Sequence, residues 1–258
     1  MGMHFKLGLY EHQSAGALEG LQKMIYDSKF TMNHSLSDIE NINIVAYEPA
    51  FGIIGDPAKK TPSTRQSADH SMVYIVSTIL RKAFEDKKFN SSLNSVNNLD
   101  QIWKTLMLEP KDYGHTALFN SATRDLMTKC TFTHGGKAYD EKYPEGIPTS
   151  ISITFKGGKK FESGFVMFPS GHSRNTSANL NDILNYKNNL LGRLALGESE
   201  LIEKLSLLNS IETASNKDLQ HIYECKLKVR RYSVDDEKYV EWSINYYCYL
   251  NLWAWLLI

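Results

Sequence analysis

Apolar residues near the start recur at spacings of three and four. Ala15, Leu18, Leu21, Met24 and Ile25 predict an amphipathic helix from Glu11 to about Asp27. The stretch Asn33 to Ser37 reads as a turn, and the alternation of Ile42, Ile44 and Ala46 after it reads as a strand. Residues 48–66 lose both periods. They hold Pro49, Gly52, Gly55, Pro57 and Pro62 with Lys59, Lys60 and Arg65 nearby, the pattern of a long loop that is either functional or disordered. Helical spacing returns from Ser67 to about Phe84, on Val73, Ile75, Val76, Ile79 and Leu80. A polar link over residues 90–98 leads to a shorter helix around Leu99 to Leu108.

Period two marks the middle of the chain. Leu126 to Thr133 is one candidate strand, and Ser150 to Phe155, with Ile151 and Ile153 alternating against polar neighbours, is a stronger one. Gly157-Gly158 supplies a turn and Lys160 to Phe168 the partner strand of a hairpin. The polar run Ser170 to Asn179 is followed by helices over 180–195, 198–209 and Ser215 to Cys225. Helix, then an α+β block, then helices predicts two domains, mainly α, with an α+β module inserted between segments of a helical one. The end, from about Lys226 to Ile258, departs from all of this. Its run from Tyr246 to Ile258 is too short for a bilayer span, which needs about twenty residues. It reads as a buried element, as sequence foreign to the domain, or as an aromatic foot on a membrane surface.

Composition narrows the function classes. Lys plus Arg equals Asp plus Glu at 29 each, so no overall field draws the chain to nucleic acid or an anionic membrane. Cys130, Cys225 and Cys248 are far apart, which predicts neither a disulfide framework nor a zinc or iron–sulfur site and favours a reducing compartment. The opening Met1-Gly2-Met3-His4-Phe5-Lys6 has no signal-peptide pattern and lacks the Ser or Thr of a myristoylation signal.

Chemistry concentrates in two places. Arg65, Asp69, His70 and Tyr74 fall together after a pair of lysines, with His70 and Tyr74 expected on one helix face. An imidazole, a carboxylate and a cation at a loop–helix junction can bind a carboxylate ligand or move a proton, and can equally be a capped helix start. His4-Phe5-Lys6 and Glu11-His12-Gln13 are the second place. Tyr113, His115 and Thr116 flank Gly114 without forming a known motif, and Lys156-Gly157-Gly158-Lys159 lacks the frame of a phosphate loop.

Three stretches together resemble the MmgE/PrpD family. Phe5-Lys6 followed by His12-Gln13-Ser14-Ala15 is similar to the family's entry to a helix. Thr64-Arg65-Gln66-Ser67-Ala68-Asp69-His70-Ser71-Met72-Val73-Tyr74 resembles its Thr-Arg-x-x-Ala-Asp-His-Ser-x-x-Tyr signature, the most specific of the three. Tyr143-Pro144, Pro148, two strands joined by Lys156-Gly157-Gly158-Lys159, and Pro169-Ser170-Gly171-His172 to Asn175 resemble its hairpin and exit. The likeness runs from about residue 4 to 210. Where relatives carry a proline after Phe-Lys, this chain has Leu7-Gly8-Leu9.

The resemblance implies a large helical domain (here residues 1–30 and 177–225), an α+β lid (31–176) and an atypical tail (226–258). It implies a hydro-lyase that takes water from 2-methylcitrate without metal or other cofactor, in propionate breakdown. A cis-aconitate decarboxylase-like activity and an inactive chain that only binds a tricarboxylate or a partner subunit are the alternatives. By matching position, Lys6 and His70 would be catalytic, and Arg65, Lys6 and His12 would bind substrate. The resemblance also implies a C-terminal portion without the Asp- and His-bearing part of the cleft that relatives supply earlier. A homodimer is implied too, in the cytosol of a bacterium or the mitochondrial matrix of a eukaryote.

Overall fold

The computed structural model describes residues 4–228. The predicted departure of the tail therefore lies almost wholly outside the described residues, and Cys248 with it. Contacts divide the chain into two compact units, Met1–Leu180 and Asn181–Ile258.

The first unit begins with an extended segment and a short turn, His12–Ser14, that opens helix α1 (Ala15–Ser28) and α2 (Phe30–Asn33). Strand β1 (Ile39–Ala46) follows, then one-turn segments at Ala50–Ile54 and Pro57–Lys59. Helices α3 (Arg65–Ala68), α4 (Met72–Glu85), α5 (Lys87–Ser92), α6 (Leu99–Leu106), α7 (His115–Leu118) and α8 (Ser121–Thr128) come next. Strand β2 (Cys130–His134), helix α9 (Lys137–Asp140) and strands β3 (Thr149–Phe155) and β4 (Lys160–Glu162) complete it. The mixed sheet runs β2-β1-β3-β4, with β1 parallel to β2 and antiparallel to β3, and β4 antiparallel to β3.

Alternation does its work in β1 and β3. Ile42 pairs with Ile153 and Ile44 with Ile151, and all four are buried. Helix α1 lies against β3, and also touches α4 and α6. Its approach is set by Gly16: a Cβ there would come within 2.7 Å of the Ile147 carbonyl oxygen and 2.8 Å of the Thr149 Cβ. Only a residue without a side chain lets the helix sit that low on the strand.

Four expectations need correction. The strand expected over Leu126 to Thr133 starts later, because Asn120 accepts the Thr123 N–H at 3.0 Å and caps α8, which consumes Leu126 to Thr128. The helix expected from Ser67 to Phe84 is broken at Asp69–Ser71. Ser71 leaves helical geometry and caps α4 by accepting the Tyr74 N–H at 3.2 Å. The polar link over 90–98 is partly helical, since Asp86 caps α5 through the Phe89 N–H at 2.8 Å. Finally, the partner strand expected to reach Phe168 ends at Glu162. Gly164 turns the chain with φ +69, and Val166 returns only as a bridge to Thr149.

The second unit contains α10 (Leu180–Ala195), α11 (Glu198–Asn209) and α12 (Asn216–Tyr223). Ala195, Leu196 and Leu201 form its core, with Leu205, Cys225 and Leu227 packed against it. Lys204 is only 2% exposed, and its ammonium donates to the carbonyls of His221 and Glu224, the latter at 2.7 Å. A buried cation is tolerated here because it satisfies carbonyl groups at the end of α12. Among the described residues no helix is long and apolar enough to cross a membrane.

Candidate functional site

The segment from His4 to Glu11 is neither helix nor strand, yet side chains and turns hold it. The Phe5 N–H donates to the Gly171 carbonyl at 2.9 Å, the Leu7 N–H to the Tyr10 hydroxyl at 2.9 Å, and the Tyr113 hydroxyl to the Leu9 carbonyl. His4 and His172 form an isolated antiparallel bridge. Gly171 permits it, since a Cβ there would run into the Phe5 carbonyl oxygen and lie 2.8 Å from the His4 Nε2.

Three imidazoles gather as a result. The ring centroids of His4 and His12 are 4.6 Å apart and those of His4 and His172 5.9 Å apart, both pairs edge to face. Both ring nitrogens of His4 are buried and have no hydrogen-bond partner among the described residues. Burial first, then the neighbouring His12 and His172, push its pKa down to about 3. His172 is buried against Phe168, with centroids 4.8 Å apart. Its Nδ1 accepts the Arg174 N–H at 3.1 Å, which puts the ring hydrogen on Nε2. Its pKa is also lowered, by burial first and then by the Arg174 cation. His12 forms the open side, and the protein packed around its ring, then Lys6 and His172, lower its pKa. All three shifts favour the neutral form of the rings.

Lys6 and Glu11 stand beside them. Burial lowers the Lys6 pKa, while the carboxylates of Glu11 and Asp69 pull it back up. Burial raises the Glu11 pKa, opposed by the Gln13 N–H and by the charges of His70 and Lys6. One Glu11 oxygen, Oε1, accepts the Gln13 N–H at 2.9 Å and caps the turn that opens α1. The other, Oε2, is buried with no hydrogen-bond partner. The helix break at Asp69–Ser71 supplies the facing wall. His70 directs Nδ1 at the Asp69 carboxylate and at the Gln66 carbonyl, the latter at 3.2 Å. Two acceptors on one side place the ring hydrogen on Nδ1 and leave Nε2 basic. The ring is exposed while Asp69 is largely covered.

Lys6, His12 and His70, picked from sequence, thus meet in one cluster. Arg65 begins α3, where its charge reaches Tyr113 together with that of Asp69. Tyr74 does not join. The expected shared face with His70 is lost at the helix break, and its buried hydroxyl donates to the Asp112 carbonyl at 2.5 Å. His115 stays on the surface against Phe119, and the glycines of Lys156-Gly157-Gly158-Lys159 make an open turn. Glu11 and His4 lie in the second candidate stretch of the sequence without a role of their own, and His172 has none there. The adjacency of Glu11 and His12 at a helix entry was the one local signal for the first. His4 and His172 are distant in sequence, and no local signal pairs them. Among the described residues no group of three or more His, Cys, Asp or Glu is arranged to hold a metal ion.

No model of a known protein family matches the chain, and no curated protein does.

Proposed function

We propose that this cluster is an acid–base site for a polycarboxylate, and that the chain is a hydro-lyase resembling 2-methylcitrate dehydratase. The observation that carries the reading is convergence. The three stretches that resemble the MmgE/PrpD family lie far apart in sequence, and each contributes a wall. His4, Lys6 and His12 come from the first, Asp69 and His70 from the second, Gly171 and His172 from the third. Elimination of water β to a carboxylate needs cations for the carboxylates, a base for the carbon-bound proton and an acid for the leaving hydroxyl. Lys6 offers a point charge and Arg65 a fork of donors. His12 is placed to donate to a carboxylate from the open side. His70, oriented by Asp69, presents Nε2 as the base.

On this reading two copies of the chain pair. The test is loss of 2-methylcitrate and gain of ultraviolet absorbance from the conjugated double bond of 2-methyl-cis-aconitate, with chelator present throughout. The expected result is product from the purified chain, reduced about 10²-fold or more by Lys6→Ala and by His70→Ala. Soluble, folded chain that makes no product would sink the dehydratase reading. Carbon dioxide released from cis-aconitate would redirect it to a decarboxylase.

A further inference from the structure

The leaving hydroxyl needs a proton, and His70, Lys6 and His12 are already assigned to the base and the carboxylates. Among the remaining groups Glu11 is distinguished by what its two oxygens do. Oε1 is held by the Gln13 N–H at 2.9 Å, so the side chain is fixed in direction. Oε2 is buried and has no hydrogen-bond partner among the described residues. A buried carboxyl oxygen left without a partner is costly, and such groups call for an explanation. The charges of Lys6 and His70 both act on the Glu11 carboxyl.

We propose that Glu11 is the general acid of this site, donating the proton on Oε2 to the hydroxyl that leaves. The inference rests on the elimination reading above and assigns a role that reading leaves vacant. The step balances without a co-reactant. His70 Nε2 takes the carbon-bound proton, the C–H electron pair becomes the new double bond, and the C–O pair leaves with the oxygen. That oxygen receives the Glu11 proton and departs as water. Glu11 is left as carboxylate and His70 as imidazolium, and exchange with solvent returns both to their starting states.

Burial favours the neutral carboxyl that the role requires, and the other titratable groups acting on Glu11 are Lys6, His70, Tyr10 and Tyr47. The Gln13 cap requires only an acceptor at Oε1, which glutamine also supplies, so Glu11→Gln preserves the local fold.

The experiment compares the full chain with Glu11→Gln on two substrates, the hydroxy acid and its analogue with a halide as leaving group. A halide departs without a proton. The expected result is a fall of about 10²–10³-fold in water elimination, with halide elimination reduced less than about tenfold. The alkaline limb of the wild-type pH–rate profile should vanish in the variant. Equal loss on both substrates would make Glu11 structural and overturn the proposal while leaving the elimination reading standing. Undiminished water elimination by the variant would do the same. A wild-type chain that eliminates neither group overturns both.

Discussion

A single missing side chain keeps the histidine group together. Gly171 lets the exit loop lie against the Phe5 carbonyl and the His4 ring. Gly171→Ala should force them apart, costing about 1–3 kcal/mol of stability, because the nearest contact is backbone and cannot swing away. Denaturant unfolding would measure the cost, and loss of ring contacts between His4 and His172 by NMR would locate it. The same histidines carry a pH signature. An unfolded His4 takes a proton below its ordinary value of 6.5, whereas the folded ring resists until about 3. Its depressed pKa therefore contributes stability that is complete above 6.5 and lost as pH falls through that window to about 3. Unfolding free energy followed against pH should show this decline, and His4→Asn should flatten part of it.

Between elements, two side chains do more than local work. Glu19 on α1 is buried and accepts the Trp103 indole N–H at 2.8 Å, the Ser170 N–H at 3.1 Å and the Ser170 hydroxyl at 2.7 Å. It ties α1 to α6 and fixes the loop two residues before His172. Glu19→Gln should cost about 1–3 kcal/mol, since an amide cannot serve three donors with the strength of a carboxylate. The indole N–H resonance of Trp103 should move with it. Ser71 caps α4 and donates to the Lys59 carbonyl at 2.6 Å, so Ser71→Ala should cost about 1–2 kcal/mol and loosen the break that presents His70, read by thermal unfolding. These elements were unevenly legible. Helix α1 and strand β3 follow from the spacing of Leu18, Leu21 and Ile25 and of Ile151 and Ile153, because burial on one face imposes a period. Helix α8 and the interruption at Asp69–Ser71 turn on single capping residues, Asn120 and Ser71, whose hydrogen bonds override a run of apolar positions. Lys6, His12 and His70 were visible as residue types. The burial of Glu11 Oε2 and the pairing of His4 with His172 depend on tertiary approach, which no local period encodes.

For the whole molecule, the charge balance leaves no net field to draw the chain to a polyanion. The chain carries 29 cationic against 29 anionic side chains, and the same balance holds locally, where Lys6 faces the carboxylates of Glu11 and Asp69. The bridge between His4 and His172 also dictates an order of events. Its two residues come from opposite ends of the first unit, so it closes a loop containing the entire sheet. Closing so long a loop is repaid only after the intervening chain has collapsed, and contacts of large sequence separation form slowly. On a ribosome the three imidazoles cannot meet until residue 172 has emerged, by which time β1, β2 and β3 are available to pair. Assembly of the cluster is then the closing step in the folding of the first unit, and chains released early would possess a sheet but no trio of imidazoles.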